Sequence, residues 1–399
     1  MAAPQLRFKE FDGEWNNFEL GTLGYFINGL TYAPENIVEK GLLVLRSSNV
    51  QNGELAFEDN VFVDLNVDQE KLTQKNDILI CVRNGSKSLI GKNALIKDLP
   101  CSATHGAFMT VFRSGLGEFV YQLLQTKRYY EYIYADLGAT INSINGNNLK
   151  KYKFYLPEKK EQTKIASFLS AVDEKISQLT QKHELFSQYK QDMMQKLSSQ
   201  QIRFKADDGR EFGEWEKVKL GSLLIKHDEK TEFNNQYPVL TSSRHGIYFQ
   251  KDYFAGQDVA SADTTGYNVV PYDYFTYRHM SDDLVFKFNI NTICPKGIVS
   301  TLYPVFTVKD EHLNKYFLQT ILNEGQEFKN FAIMQKQGGS RTYMYFSKLS
   351  ELVLTIPCLE EQTKIANFLS AIDQKIEVVA EQIEQAKTWK KGLLQQMFV

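Results

Sequence analysis

Apolar residues recur at alternating intervals of three and four along two long stretches of the chain. The apolar positions of the first stretch are Ile165, Leu169, Val172, Ile176, Leu179, Phe186, Met193 and Leu197, with His183 and Lys190 as polar interruptions. Those of the second are Ile365, Leu369, Ile372, Ile376, Val379, Ile383, Ala386, Leu393 and Met397, interrupted by Lys390. This alternation is typical of a coiled-coil interface. It predicts two helices of about 33 residues, each about 50 Å long.

An exposed apolar stripe of this length needs a partner. The favoured interpretation is that the two helices pair with each other in antiparallel orientation. The alternative is that each helix packs separately on its own domain.

The segments that precede the two helices have a different pattern. Short apolar runs bounded by turn residues, at 77–82, 106–112 and 297–308, predict β-strands. Stretches at residues 118–137 and 311–331 predict further helices, one in each half. Each half is therefore expected to contain an α+β domain.

The two halves of the chain also share nearly identical ends. Residues 161–176 and 361–376 are identical at thirteen of sixteen positions and lie 200 residues apart in a chain of 399. The segment RFKEFDGEW at residues 7–15 has a counterpart, RFKADDGREFGEW, at residues 203–215. A repeat of this length indicates a duplicated domain with its helix rather than a solenoid.

The repeat predicts two pseudo-symmetric α+β domains separated by two long helices that form an antiparallel coiled coil. The expected boundaries are 1–160 for the first domain, 161–200 for the first helix, 201–360 for the second domain and 361–399 for the second helix. Such an arrangement would hold two different domains at a fixed separation.

Composition narrows the class of protein only slightly. A hydrophobic fraction of 43% and a charged fraction of 24% are ordinary for a globular protein. The sequence lacks a signal peptide and a run of eighteen apolar residues, so a cytoplasmic protein without a membrane span is expected. Four scattered cysteines lack zinc-site spacing. The net charge of −2 does not by itself suggest nucleic-acid binding.

No catalytic or metal-binding residues are predicted. The segment GSKSLIGKN at residues 85–93 has five residues between its glycines, where a phosphate-binding P-loop has four, and it ends in Asn rather than Ser or Thr. The six histidines form no pattern from which a hydrolase site can be argued. Any chemistry is therefore expected to belong to partner proteins.

The paired ends of the two halves resemble a known family. The pattern P-x-x-x-E-Q-x-K-I-A occurs at residues 157–166 and again at 357–366. Its duplication half a chain apart resembles the specificity (S) subunits of type I restriction-modification enzymes, and the resemblance covers essentially the whole chain.

The resemblance implies that each variable domain is a target recognition domain for one half of a bipartite double-stranded DNA sequence. It further implies two methyltransferase (M) subunits and restriction (R) subunits as partners. S-adenosylmethionine, ATP and Mg²⁺ are expected on those partners, and no cofactor is expected on this chain. The positions implied for the spacer and for subunit docking are Ile165, Leu169, Val172, Ile176, Leu179, Ile365, Leu369, Ile372, Ile376 and Val379.

Polar loops in each domain are the candidates for DNA contact. Arginine suits the guanine edge and asparagine the adenine edge, although Asn and Ser are also ordinary turn formers. The candidates in the first domain are Arg46, Ser47, Ser48, Asn49, Arg83, Asn84, Lys87, Asn142, Asn145 and Asn147. Those in the second are Thr241, Ser242, Ser243, Arg244, His245, Arg278, His279, Ser340, Arg341 and Tyr343.

Two other classes of protein compete with this interpretation. A protein-binding scaffold with two adaptor domains would bind no duplex in a salt-dependent manner, and it would leave the two variable domains unexplained. A chain with a fused methyltransferase is excluded by its length and by the lack of an N-P-P-Y-like motif.

Overall fold

The computed structural model describes residues 3–137, 142–255, 260–336 and 340–399. The chain forms two compact units, one containing the residues up to 182 together with 379–399, the other containing residues 183–378. Both limits fall inside the long helices. The first unit therefore contains the first variable domain, the beginning of the first long helix and the end of the second. The second unit contains the end of the first long helix, the second variable domain and the beginning of the second long helix.

The described strands of the first unit form two four-stranded sheets and two short antiparallel pairs. The strands are β1 (Asn16–Glu19), β2 (Tyr25–Asn28), β3 (Ile37–Val38), β4 (Leu42–Leu45), β5 (Val50–Gln51), β6 (Glu54–Leu55), β7 (Phe62–Val63), β8 (Ile78–Cys81), β9 (Asn93–Leu95), β10 (Ala103–His105), β11 (Met109–Arg113) and β12 (Lys153–Leu156). One sheet has the order β2-β11-β8-β9 and is antiparallel throughout, and the other has the order β10-β4-β7-β3, with β10 and β4 parallel.

The helix predicted at residues 118–137 is divided in two. Helix α1 spans Gly117–Leu123 and α2 spans Lys127–Asp136, and a short α3 follows at Gly146–Leu149. The break occurs because the Thr126 hydroxyl caps α2 by accepting from the backbone N–H of Tyr129.

The second unit repeats the antiparallel four-stranded sheet. Its described strands are β13 (Glu216–Lys219), β14 (Leu224–His227), β15 (Leu240–Ser243), β16 (Gly246–Phe249), β17 (Asn268–Pro271), β18 (Phe275–Thr276), β19 (Met280–Ser281), β20 (Asn289–Ile290), β21 (Lys296–Val299), β22 (Val305–Val308), β23 (Thr342–Tyr343) and β24 (Val353–Ile356). The four-stranded sheet has the order β14-β22-β18-β20, and the strand pairs β13-β24, β15-β16, β17-β21 and β19-β23 complete the described sheet structure.

The helix predicted at residues 311–331 is also divided. After a short α5 (Gln250–Tyr253), helix α6 spans Lys315–Glu324, α7 spans Gln326–Met334 and α8 spans Phe346–Leu349. Gly325 separates α6 from α7, and a Cβ at this position would meet the Ile321 carbonyl oxygen at 2.5 Å. The glycine therefore permits a turn too tight for a side chain.

The two long helices begin in the same way. Helix α4 spans Lys159–Ser198 and α9 spans Leu359–Met397, each within two residues of its expected bounds. Their lengths of 40 and 39 residues exceed the length predicted from the apolar spacing. The Gln162 side chain donates to the Pro157 carbonyl at 2.8 Å, and Gln362 donates to Pro357 at 2.9 Å. This shared bond fixes the entry of the chain into each helix and accounts for the repeated glutamine.

The repeated glutamate is buried in an ion pair with the repeated N-terminal arginine. Arg7 Nε and Nη2 each lie 2.7 Å from one carboxylate oxygen of Glu161. Arg203 holds Glu361 at 3.2 and 2.8 Å through the equivalent atoms. Both glutamate side chains are fully buried. The distant RFK and EQ motifs of each repeat are therefore two parts of one contact.

Within each unit, α4 and α9 pack in antiparallel orientation. In the first unit Phe168, near the start of α4, meets Trp389, near the end of α9, with ring centroids 6.2 Å apart. The first unit's core includes Ile165 and Leu169 together with Leu393 of α9. In the second unit Met194 and Leu197 of α4 share a core with Ile365, Leu369 and Ile372 of α9. The predicted pairing of the two helices is confirmed.

Most of the apolar positions singled out on the helices face this interior. Ile176 and Ile376 are only half-buried. The buried positions hold the helices and domains together, which leaves little of them for contact with another subunit. They are Ile165, Leu169, Val172, Leu179, Ile365, Leu369, Ile372 and Val379.

The lysines that interrupt the apolar pattern form ion pairs between the repeats. Lys390 Nζ lies 2.5 Å from Asp173 Oδ1 in the first unit, and Lys190 Nζ lies 2.7 Å from Asp373 Oδ1 in the second. Burial lowers the pKa of Lys190, but the hydrogen bonds that its ammonium group donates to Asp373 and Glu324 outweigh this effect, and the net pKa is raised. Each of these lysines thus forms an ion pair that depends on the register of the two helices.

We expect Asp173→Lys to destabilise the first unit, because it sets two ammonium groups together at a poorly solvated position. The free energy of unfolding should fall by about 2–4 kcal/mol. The double variant Asp173→Lys/Lys390→Asp should regain at least half of that loss in urea unfolding. A single variant as stable as the natural chain would contradict this pairing.

Candidate nucleic-acid interface

In the first unit, three polar loops that are distant in sequence meet at one surface. Asn84 Nδ2 donates to Ser47 Oγ at 3.0 Å, and the Asn84 backbone N–H donates to the Asn142 carbonyl at 3.3 Å. Asn142 Nδ2 in turn donates to the Gly85 carbonyl at 2.8 Å. The predicted candidates around Arg46, Arg83 and Asn142 therefore belong to one site, which we call the first polar surface.

Two clefts open on the first polar surface. One, with a volume of about 550 Å³, is lined in part by Arg46, Ser47 and Ser48. The other, of about 430 Å³, is lined in part by Arg83 and Asn145. Such concave, partly polar surroundings suit contact with the edges and phosphates of a nucleic acid.

The arginines of the first polar surface are held by their neighbours. Arg46 Nη2 forms an ion pair with Asp59 Oδ2 at 2.8 Å. The exposed Arg83 guanidinium lies 5.7 Å from the centre of the Phe108 ring. Both guanidinium groups have restricted orientations, which reduces the entropy lost on forming a bidentate contact.

The remaining candidates of the first unit divide into exposed and structural residues. Lys87 and Asn147 are exposed. Asn145 is exposed as well, and its Oδ1 accepts from the Asn147 backbone N–H at 2.9 Å as the cap of α3. Asn49 is fully buried, because its side chain accepts from the Arg46 N–H and donates to the Ala56 carbonyl, both at 2.9 Å. Asn49 supports the loop and is not available to DNA.

Three polar loops also meet in the second unit. Strand β19 pairs with β23 so that Met280 faces Tyr343. Arg341 Nε lies 2.9 Å from Asp282 Oδ1, and Arg244 Nη2 lies 2.6 Å from Asp283 Oδ1. The loops at residues 241–246, 278–283 and 340–345 therefore form one site, the second polar surface.

Acidic neighbours orient the arginines of the second polar surface. The hydrogen bond from Arg244, with another from the Ser281 hydroxyl, lowers the pKa of Asp283 to about 2. The hydrogen bond to Asp282 raises the pKa of Arg341. A phosphate or base acceptor must therefore compete with a carboxylate for each guanidinium.

Several candidates of the second unit have structural roles. Ser242 is buried, where its hydroxyl donates to the Thr276 carbonyl at 3.2 Å and accepts from Asn289 at 2.8 Å. His279 is buried too, and its ring nitrogen Nδ1 bonds to the Leu302 carbonyl. Ser243 Oγ closes the turn to the Gly246 carbonyl at 3.0 Å. Ser242 and His279 are thus not available to a ligand.

The outer residues of this surface remain accessible. Arg278, His245 and Ser340 are exposed, and Thr241 is half-buried. Gly338 and Gly339, part of the predicted loop around Ser340, lie outside the described residues.

An aromatic stack borders the second polar surface. Tyr343 was predicted from the sequence as a candidate, whereas Tyr345 was not. The Tyr343 and Tyr345 rings are nearly parallel, with centroids 5.7 Å apart, and Tyr345 stacks on His279 at 4.9 Å. Tyr343 is 42% exposed and Tyr345 50%. The alternation of Tyr343, Met344 and Tyr345 was the available signal, because alternate residues of an extended segment share a face.

The described residues contain no cluster of three or more His, Cys, Asp or Glu side chains suited to a metal ion. Within the same ranges, no helix has the length and apolar character needed to cross a membrane.

Both halves of the chain match a known protein family. A family model described as the type I restriction modification DNA specificity domain matches the chain twice, at residues 12–185 and 213–388. The chain belongs to this family. Each match covers one variable domain and most of the long helix that follows it, so the family's repeat coincides with the internal repeat of the chain.

Relatives in the specificity family cover different shares of the chain. The type I restriction enzyme StySPI specificity subunit of Salmonella potsdam is 26% identical over 53% of this chain and 48% of its own length. The chain thus spans about half of that relative. A Methanocaldococcus jannaschii protein, named for the MjaX specificity subunit of a type I restriction enzyme, is 26% identical over 96% of this chain and 93% of its own.

The fold also has a counterpart among solved structures. The S subunit of a type I restriction-modification system from M. genitalium aligns with a TM-score of 0.61 and 16% identity, over 100% of this chain and 99% of that one. At this identity the likeness concerns the fold.

Proposed function

We propose that the chain is the DNA sequence-specificity subunit of a type I restriction-modification complex. Each α+β domain acts as a target recognition domain for one half of a bipartite double-stranded DNA sequence. The observation that carries this proposal is that three sequence-distant polar loops converge in both units, although the variable domains share little sequence. Membership of the DNA specificity family supports the same conclusion.

The residues of the two polar surfaces are suited to different contacts with DNA. Arg83 in the first unit and Arg278 in the second are exposed and suit bidentate contact with guanine or with phosphate. Asn142 and Asn145 offer amides of the kind that reads adenine. Lys87 and Arg244 suit phosphate contacts that position the duplex.

The two long helices act as the spacer and as the docking site for two methyltransferase subunits. Apolar side chains on their outer faces support this role. In the second unit Leu185 is 64% exposed and Tyr189 46%, and in the first unit Trp389 is 54% exposed. Exposed aromatic residues are enriched where proteins contact one another. The buried apolar positions instead maintain the helix pair.

Catalysis is assigned to the partners. S-adenosylmethionine is then bound by the methyltransferase subunits, and ATP and Mg²⁺ by the restriction subunits, while this chain contributes recognition alone. The complex acts on DNA in the cytoplasm.

Co-expression with a methyltransferase subunit from the same system tests this function. The chain should purify with two copies of that subunit, and the complex should bind duplex DNA with an affinity that falls steeply between about 50 and about 200 mM salt. A chain that purifies without the subunit and binds no duplex would contradict the proposal.

A further inference from the structure

Phe108 is a large apolar side chain displayed at the centre of the first polar surface. It lies in the turn between β10 and β11 and is 56% exposed. Ala107 and Met109, its neighbours in the turn, line both clefts, so the turn stands between them. Arg46 lines the first of these clefts and Arg83 lines the second.

The exposure of Phe108 does not come from a loosely held loop. Its carbonyl accepts from the backbone N–H groups of Val82 at 3.0 Å and Arg83 at 3.1 Å. The Met109 N–H closes the turn on the Gly106 carbonyl at 2.8 Å, and the Ala107 N–H donates to Leu30 at 2.9 Å. The backbone on both sides of the side chain is therefore fixed, and Phe108 is held in a defined direction.

The second unit displays an apolar side chain at the same topological position. Leu302 lies in the turn between β21 and β22, is 42% exposed, and its carbonyl accepts from the His279 N–H at 3.2 Å. His279 corresponds to Val82, because its carbonyl accepts from the Met344 N–H at 2.6 Å, as the Val82 carbonyl accepts from Ile144 at 2.8 Å.

A single exposed apolar residue is ordinary on a protein surface and needs no function. Two features distinguish Phe108 and Leu302. Both are held by the same backbone hydrogen bond in domains whose sequences have diverged. In addition, Phe108 lies beside Arg46 and Arg83, and the Leu302 carbonyl is bonded to His279 in the 278–283 loop of the second polar surface. A repeated apolar residue beside a polar surface indicates an apolar feature in the ligand.

The major groove of DNA presents one apolar feature at its base edges, the C5-methyl group of thymine, and phenylalanine is among the side chains that contact it. We propose that Phe108 and Leu302 are specificity-determining residues, each of which contacts a thymine methyl group in the half-site read by its domain. This inference rests on the proposed function and adds an apolar contact to the polar contacts proposed above. Replacement of thymine by uracil removes the methyl group and leaves the hydrogen-bonding edge unchanged.

The test uses the complex of the full chain with its methyltransferase subunits and a duplex that carries its methylation motif. Each thymine of the first half-site is replaced in turn by uracil. For the natural chain, Kd should rise about fourfold at one position, the effect expected for one methyl-sized apolar group. Phe108→Ala should bind the thymine duplex less tightly and should show no further change with uracil at that position.

Matched variants separate this contact from general effects. Tyr134→Ala removes an aromatic side chain that is 62% exposed on α2 of the same unit, and it should keep the full response to uracil. Leu302→Ala should keep that response in the first half-site and lose it in the second. Urea unfolding of Phe108→Ala should match that of the natural chain, because the side chain is largely exposed.

The inference is overturned if the natural complex tolerates uracil at every thymine of both half-sites, or if uracil costs Phe108→Ala as much as it costs the natural chain. In both cases sequence-specific binding persists, and the proposed function stands. A natural complex that binds no duplex at all would instead remove the proposed function.

Discussion

Arg7→Ala is expected to be among the most destabilising single substitutions in the first unit. Glu161 is fully buried and its carboxylate is held by two atoms of Arg7. Loss of the arginine leaves an unpaired charge in the interior, at a cost of about 3 kcal/mol in the free energy of unfolding. Urea unfolding followed by circular dichroism measures this loss.

Two further variants isolate the cause of that loss. Arg7→Ala/Glu161→Gln should recover most of the stability, because the buried group is then neutral. Arg210→Ala removes an arginine whose side chain is 82% exposed in its pair with Asp208, and it should change the stability by less than about 0.5 kcal/mol. An Arg7→Ala variant with an unchanged urea midpoint would show that the pair is not needed to solvate Glu161.

Addition of one heptad to each long helix, after Thr180 and after Ala380, is expected to change or abolish DNA methylation. Both insertion points lie near the limits of the two units, at 182/183 and 378/379, so each unit keeps its own packing. Seven residues lengthen a helix by about 10 Å. That length corresponds to about three base pairs at 3.4 Å each.

The rotation that accompanies this insertion determines the outcome. Three base pairs turn a half-site by about 100° around the duplex. A heptad turns a helix interface by only about 20°. The variant should therefore methylate a motif with a longer gap, reached by distortion of the DNA, or lose methylation. A folded variant that methylates the original motif at full rate would contradict the role of the helices as a spacer.

The long helices were predictable because their signal is local and repeated. The bounds expected from the repeat, 161–200 and 361–399, differ from those of α4 and α9 by two residues at each end, the usual uncertainty of helix boundaries. The apolar spacing alone began six residues too late, because the first turns of both helices are largely polar. The role of Lys190 and Lys390 was not predictable in the same way. Each bonds to an aspartate about 200 residues away in sequence, and periodicity within one helix carries no information about its partner.

The candidate site was predictable as a set of loops but not residue by residue. Asn49 and Ser242 have the residue types of DNA contacts, yet both are buried because nearby backbone groups require their hydrogen bonds. Phe108 was overlooked because residues 106–112 had the apolar character of a strand. In the structure, β11 begins only at Met109, and the preceding residues form the turn that exposes Phe108.

Exchange of residues 221–350 for the second variable domain of another specificity subunit tests the two-domain recognition of DNA most directly. The ends of this segment are neighbours, since the Gly221 N–H donates to the Ser350 carbonyl at 3.0 Å, so a foreign domain can join there without strain. The measurement is the sequencing of methylated adenines in a host that carries the chain and its methyltransferase. One half of the bipartite motif should change while the other stays the same. A change in both halves, or a loss of methylation by a variant that still folds and still binds the methyltransferase, would contradict independent recognition by the two domains.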